Sequence, residues 1–226
     1  MSGLADLTSP EVERGRLLIV PLGATEQHGP HLPLGTDSEI ADAIARLAAA
    51  RLAGAFVAPT LPYGSSGEHQ DFAGTLSIGA AATELVLVEV GRSATETFDR
   101  VLFLNAHGGN AGALAAAVGR LRDEGRDVRA WSPRWGGDAH AGRTETSLML
   151  ALMPRRVRDG REPGNTAPLA ALIDDLRAEG VRPLAPNGVL GDPTVASAGE
   201  GAELLAAAVE DLRALLLEWP DPVVVS

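Results

Sequence analysis

A chain of 226 residues with 45% apolar content is long enough to bury a sizeable core, and it reads as one α/β domain over residues 1–226. Its formal charge of −11 excludes the basic patch that a nucleic-acid partner or an anionic membrane surface requires. With no cysteine, the chain has no disulfide, thiolate metal ligand or cysteine nucleophile. No secretory pattern opens the sequence and no apolar run reaches membrane-spanning length, so the expected compartment is the cytoplasm.

Residues 1–12 and 219–226 read as loose ends. Leu17-Leu18-Ile19-Val20-Pro21-Leu22-Gly23 is a short apolar run bounded by Pro and Gly, the pattern of a strand buried on both faces. From Asp37 to Leu52 the apolar residues Ile40, Ala41, Ile44, Ala45 and Leu47-Ala48 recur at helical spacing. A second strand is expected at Ala55-Phe56-Val57-Ala58-Pro59, followed by a Gly/Ser-rich loop and a helix from Ala80 to about Asp99. Val101 to Asn105 is a third strand, Asn110 to Asp123 a helix, and Asp127 to Trp131 a fourth strand. Further helices are expected from about Thr144, near Leu169 to Glu179, and from Gly199 to Glu218. Strands alternating with helices in this way predict a parallel sheet covered on both faces.

In such sheets ligands sit beyond the carboxyl ends of the strands. Glu26 and His28 follow the first strand, Glu68 and His69 the second, His107 the third and His140 the fourth, with His31 nearby. Histidines scattered through a core would not segregate to one edge. A carboxylate and an imidazole two residues apart leave an extended segment on the same side and suit a divalent transition metal. Asp37 either returns to that point or only caps the helix that it opens, and His28 alone could be an ordinary loop histidine. Glu145 either joins the cleft beside His140 or merely complements its helix dipole.

Several other chemistries fail on spacing. Asn105-Ala106-His107-Gly108-Gly109-Asn110 has adjacent glycines where a dinucleotide fingerprint needs spaced ones. Ser65-Ser66 lacks the nucleophile elbow, since Glu68 stands where its second glycine belongs. No H-E-x-x-H occurs. An inventory of the remaining groups gives Glu26, Asp37 and His107 as one ligand set and His28, Asp37 and Glu145 as a second. A carboxylate bridging two divalent ions lowers the pKa of water held between them to near neutrality, which supplies a nucleophile without serine or cysteine. His140 remains as a proton shuttle to the leaving nitrogen.

Together, Glu26-Gln27-His28-Gly29-Pro30-His31-Leu32-Pro33, Thr36-Asp37, Glu68-His69 with Phe72-Ala73-Gly74-Thr75, Asn105 to Asn110, and His140-Ala141-Gly142 with Glu145-Thr146-Ser147 resemble the creatininase family. The resemblance runs from about residue 15 to 217. It implies a three-layer α/β/α sandwich with a mostly parallel central sheet, carrying a dinuclear amidohydrolase site. The implied metal ligands are Glu26, His28, Asp37, His107 and Glu145. His140 and Glu145 are the implied catalytic groups, and Glu68, His69 and Ser66 the implied substrate-binding ones. Iron(II) and zinc(II) are the ions to expect, with manganese(II) as the alternative, in a homo-oligomer.

Tyr63 to Gln70, Gly136 to Gly142 and Gly188 to Thr194 are most similar to a peptide-processing branch of that family. That likeness implies cleavage of a modified precursor peptide near its C-terminus, releasing a cross-linked Val–Tyr-derived fragment for cofactor maturation. The rival readings are a member acting on a small cyclic amide or formamide, and a non-catalytic metal-binding module. Two departures stand out. Creatininase has a glutamate two residues after the histidine matching His107, where this chain has Gly109, so the second ion leans on Glu145. Trp131 and Trp135 precede Gly136-Gly137, which suggests a roomier entrance.

Overall fold

The computed structural model describes residues 3–13 and 16–219. Strand β1 spans Leu17–Leu22, β2 Ala55–Val57, β3 Arg100–Asn105 and β4 Val128–Trp131. They form one sheet in the order β2-β1-β3-β4, and every pairing is parallel. Helices α1 (Thr36–Ala49), α2 (Gly79–Ala94), α3 (Ala111–Asp123), α4 (Arg143–Leu152), α5 (Leu169–Glu179), α6 (Val181–Leu184) and α7 (Ala198–Leu217) surround it.

The order of the strands decides which helix covers which face. From β1 the chain steps outward to β2, then crosses back over β1 to reach β3 and continues to β4. Because crossovers between parallel strands are right-handed, reversing the direction of travel moves the connecting helix to the opposite face. Hence α1 lies on one side of the sheet, and α2 and α3 lie together on the other. The period-two alternation of the strands sorts the core in the same way. Leu17 and Ile19 of β1 join Leu102 and Leu104 of β3 in a cluster with α1, α4 and α7. Leu18, Val20 and Leu22 join Val101 and Phe103 in a second cluster with α2 and α3. All six residues of β1 are buried, as a strand covered on both faces must be, and the three-layer α/β/α sandwich is the result.

Pro21 lies in a strand with neighbours on both sides, where a missing N–H normally breaks the ladder. Here β2 stops at Val57, paired with Ile19, so Pro21 lies beyond its end. The Pro21 carbonyl still accepts from Leu61 N at 2.9 Å.

The loose ends expected from the sequence are ordered where they are described. Residues 3–12 contain two short 3-10 turns (Leu4–Asp6 and Ser9–Glu11), and Leu4 and Val12 pack against the second cluster. At the other end Trp219 is 2% exposed, and its indole N–H donates to Asp127. Apolar side chains at 4, 12 and 219 find unfilled edges of the core, which composition alone does not reveal. Residues 220–226, and residues 1 and 2, lie outside the described residues. No described helix is long and apolar enough to cross a membrane.

Helix α7 approaches α4 closely at Gly201, where an added Cβ would overlap the Ser147 backbone carbonyl. Gly201→Val should therefore destabilise the fold by about 1–3 kcal/mol, the usual cost of overpacking. A denaturant midpoint unchanged from the parent would show that the helix pair yields freely.

Candidate metal centre

The strand order reverses between β1 and β3, and the crevice beyond the carboxyl ends of those two strands is where an open parallel sheet binds ligands. Glu26 and His28 leave β1 there, and His107 leaves β3 beside them. Asp37 enters from the first turn of α1 and Glu145 from the first turn of α4. Gly35 holds the cap position of α1, with no side-chain cap, so the Asp37 carboxylate is not used to cap its own helix. Glu26 and His28 are fully buried, and Asp37 and His107 nearly so.

Three groups of potential ligands converge, each with its ligand atoms within 4.8 Å of one another. They are Glu26, Asp37 and His107; His28, Asp37 and Glu145; and Glu26, His28 and His140. Asp37 is common to the first two. Its Oδ1 lies 3.1 Å from His28 Nε2 and its Oδ2 lies 3.4 Å from His107 Nδ1. Glu145 Oε2 is 3.8 Å from His28 Nε2, and Glu26 Oε2 is 3.2 Å from His107 Nε2.

Backbone carbonyls orient the imidazoles. A carbonyl only accepts, so the ring nitrogen facing one carries the proton. His28 Nδ1 donates to Glu26 O at 3.1 Å, His107 Nε2 to Ser65 O at 2.9 Å, and His140 Nε2 to Gln27 O at 2.8 Å. In each case the other nitrogen turns toward a carboxylate of the centre. This is the arrangement by which proteins orient metal-binding histidines.

The donor set fits a pair of divalent ions. Both carboxylate oxygens of Glu26 and Oδ2 of Asp37 are buried without a hydrogen-bond partner, although histidine nitrogens stand near them. Buried carboxylate oxygens left this way are costly unless a cation satisfies them. Nitrogen and oxygen donors without sulfur suit zinc, iron or manganese alike.

The electrostatics point the same way. Burial opposes charge on His28, but Asp37, Glu145 and Glu26 outweigh it and raise its pKa to about 10. Burial likewise opposes charge on His107, and Glu26 and Asp37 again prevail, holding its pKa well above the ordinary value. Burial would raise Asp37, yet His28 and His107 hold it well below the carboxylate range. Glu145 rises to about 7 through burial, only partly offset by His28. His140 is kept neutral by burial and by its neighbours His28 and His69.

In front of this core lies a cavity of about 840 Å³, lined by Glu68, His69, His107, Gly108, Gly109 and His140 on one side. Leu169, Ile173, Leu176 and Arg177 of α5 form the opposite side. Glu68 therefore reaches the cleft, and burial raises its pKa. Gly109 is packed beneath it: an added Cβ would lie 2.5 Å from both Glu68 Oε1 and His107 Nε2. The loop carrying Glu68 thus occupies space that any side chain at position 109 would need.

Other expectations need correction. Ser66, expected to bind substrate, is fully buried and faces His107 Nε2 at 3.4 Å, behind the cleft wall. Trp131 ends β4, as its place in the expected fourth strand implied, and is packed in the first core cluster, with its N–H donating to Asp211 at 2.9 Å. A tryptophan ending a buried strand is drawn inward by the area it can hide. Trp135 lines a separate cavity of about 580 Å³ beside Arg143 and Glu200.

Asn105 and Asn110 brace the loops. Asn105 donates to His107 O at 2.8 Å, and Asn110 donates to Gly23 O at 3.0 Å while accepting from Ser65 N at 2.8 Å. Reading the sequence missed two contributors. Gln27 lies under the histidines, and Ala141 takes a left-handed φ of 51°. A non-glycine residue there stores about 1 kcal/mol or more of strain. Its reward is an N–H donated to Glu145 Oε2 at 2.6 Å, which aims that carboxylate. The only signal for either was position, Gln27 between Glu26 and His28, and Ala141 after His140.

Two outcomes follow for metal binding. An ion that takes the lone pairs of His28 and His107 must displace protons held there up to a pKa of about 10 for His28. Affinity for zinc should therefore climb as the pH rises from about 6 to about 9, with protons released on binding. Titration calorimetry in buffers of different ionisation enthalpy checks this, and a pH-independent affinity would count against it. Asp37→Ala, which removes the carboxylate common to both sets, should leave the purified protein with neither ion by elemental analysis. Retention of one ion would show that the two sets are independent.

The match to known proteins covers nearly the whole chain. The family model described as Creatininase: Creatinine amidohydrolase matches residues 5–216. A Mycobacterium tuberculosis (strain H37Rv) protein named Mycofactocin precursor peptide peptidase is 50% identical over 228 aligned positions, covering 95% of this chain and 88% of its own. A crystal structure of creatinine amidohydrolase (creatininase) superposes with a TM-score of 0.80 at 28% identity, covering 97% of this chain and 98% of that one. A solved form described as Creatininase Mn gives a TM-score of 0.75 at 28% identity, over 96% of this chain and 98% of its own. A mutant creatininase described as Zn-Zn type gives 0.78 at 27% identity, over 97% of this chain and all of its own, 100%. With the fold, the shared aspartate and the family model in agreement from residue 5 to residue 216, the chain belongs to the creatininase family.

Proposed function

We propose that this protein is a dinuclear metal-dependent hydrolase that cuts the modified mycofactocin precursor peptide near its C-terminus during cofactor biosynthesis. The observation that carries the reading is the pair of ligand sets sharing Asp37 at the back of a large cleft. The relative of 50% identity supplies the substrate class by its name. A cleft of about 840 Å³ with an apolar α5 wall suits a peptide segment better than a small ring.

Bound divalent ions would polarise the scissile carbonyl and acidify the attacking water. The proposed ligands are Glu26, Asp37 and His107 for one ion and His28, Asp37 and Glu145 for the other. In creatininases the manganese and zinc–zinc forms attest divalent ions, and for this chain iron(II) and zinc(II) are the proposed pair. His140 lines the cleft with its Nδ1 lone pair free, because Nε2–H is committed to Gln27 O. It would accept a proton at Nδ1 and deliver it to the departing nitrogen. Glu145, whose pKa burial raises to about 7, would give up its proton on binding the second ion. Glu68 offers the cleft a carboxylate that would accept from a backbone N–H of the peptide. A cytoplasmic homo-oligomer is the proposed setting.

Mass spectrometry of the modified precursor peptide after incubation with metal-loaded protein tests the reading. Release of the C-terminal fragment is the expected result, and turnover of creatinine or formamide with an intact peptide would transfer the assignment to the small-amide alternative. His140→Ala should keep both ions and lose at least about a hundredfold in kcat. Full activity in that variant would remove His140 from the proton path.

A further inference from the structure

His69 is the one cleft histidine whose anchor is a donor and not a carbonyl. The surroundings of Gln27 decide which of its ring nitrogens carries the proton. Gln27 is 5% exposed, and its amide orientation is fixed by two backbone groups. Oε1 accepts from Gly29 N at 2.9 Å, and Nε2 donates to Gly188 O at 3.1 Å. A flipped amide would set an oxygen against the Gly188 carbonyl and an N–H against the Gly29 amide. The second hydrogen on Nε2 has two histidine nitrogens within reach, His69 Nδ1 at 2.9 Å and His140 Nε2 at 3.2 Å. His140 Nε2 is itself a donor, because it faces the Gln27 carbonyl oxygen at 2.8 Å, so it has no lone pair to offer. That hydrogen therefore goes to His69 Nδ1, and the proton of a neutral His69 must sit on Nε2. His69 Nε2 lies 3.3 Å from Glu26 Oε1, while the other oxygen of Glu26 faces His107.

We propose that Gln27 is a positioning residue that sets His69 and His140 with matched Nε2–H tautomers. Its amide N–H holds His69 so that an N–H faces Glu26, and its carbonyl holds His140 so that a bare Nδ1 remains. Through His69, an N–H is set beside one oxygen of Glu26, short of hydrogen-bond geometry, and the other oxygen is left for the ion shared with Asp37 and His107. His69 is on this account a support for a ligand and not a substrate-binding group. The part concerning the ion rests on the metal-site reading above; the tautomers do not.

The test uses the full chain labelled with 15N-histidine, both ion-free and zinc-loaded, in two-bond proton–nitrogen correlation spectra near neutral pH. The His69 signals are identified by their loss in His69→Gln. The expected spectrum shows His69 and His140 each protonated at Nε2 alone. In Gln27→Glu the carboxylate accepts and no longer donates, so His69 should gain a proton on Nδ1 while His140, held by the backbone, keeps its pattern. Zinc affinity should fall on the order of 10- to 100-fold, the usual effect of losing a ligand's supporting partner. A native His69 protonated at Nδ1 alone would overturn the proposal without any variant being made. So would a folded Gln27→Glu protein whose His69 pattern and zinc affinity match the parent. Native protein that takes up no zinc would defeat the metal-site reading, and the ion-free spectrum would still decide the tautomers.

Discussion

Two carboxylates, Glu26 and Asp37, are buried side by side, and among the described residues no arginine faces either of them. Their compensation comes from His28 and His107, which hold protons that ordinary histidines would have lost. An imidazolium is a poor permanent partner for a buried carboxylate, and three carboxylate oxygens still lack a hydrogen bond. The fold has concentrated negative charge where it cannot be neutralised well by the chain alone. Such a centre costs stability in the ion-free protein and is justified by what it can bind.

The rest of the molecule can be understood as the means of holding those groups together. The sheet reverses its winding between β1 and β3, so two loops from adjacent strands open into one crevice. Asp37 comes from the first turn of α1, and Glu145 from the first turn of α4, just after a loop strained at Ala141. Close approaches make this convergence possible, with Gly109 lying bare beneath Glu68 and Gly188 against the Gln27 amide. Carbonyls of Glu26, Gln27 and Ser65 turn three imidazoles the right way, so the irregular backbone of the loops is itself part of the site.

Much of this was legible in the sequence because it is encoded locally. The apolar run of β1, the alternation that sorts the two core faces, and the helical spacing of Ile40, Ala41, Ile44 and Ala45 all follow from short-range pattern. The gathering of histidines after strand ends pointed to the crevice, and the ligand sets sharing Asp37 follow from that inventory. What escaped was set by long-range packing. Ser66 reads as a substrate-binding loop residue until His107 is seen beside its buried hydroxyl. Trp131 is legible as the end of a strand, but its partner Asp211 on α7 is not. Gln27 carries no motif of its own, and its role exists only because Gly188, 161 positions away, brings a carbonyl to its amide.

The hydrolase reading turns on Asp37 as the proposed bridge between two cations. Crystals grown with zinc and measured at its absorption edge test it most directly, since anomalous difference density reports ion positions independently of any assumed chemistry. Two peaks roughly 3.5 Å apart are expected, one on each side of the Asp37 carboxylate. A single peak, or peaks elsewhere with Asp37 still facing only His28 and His107, would contradict it.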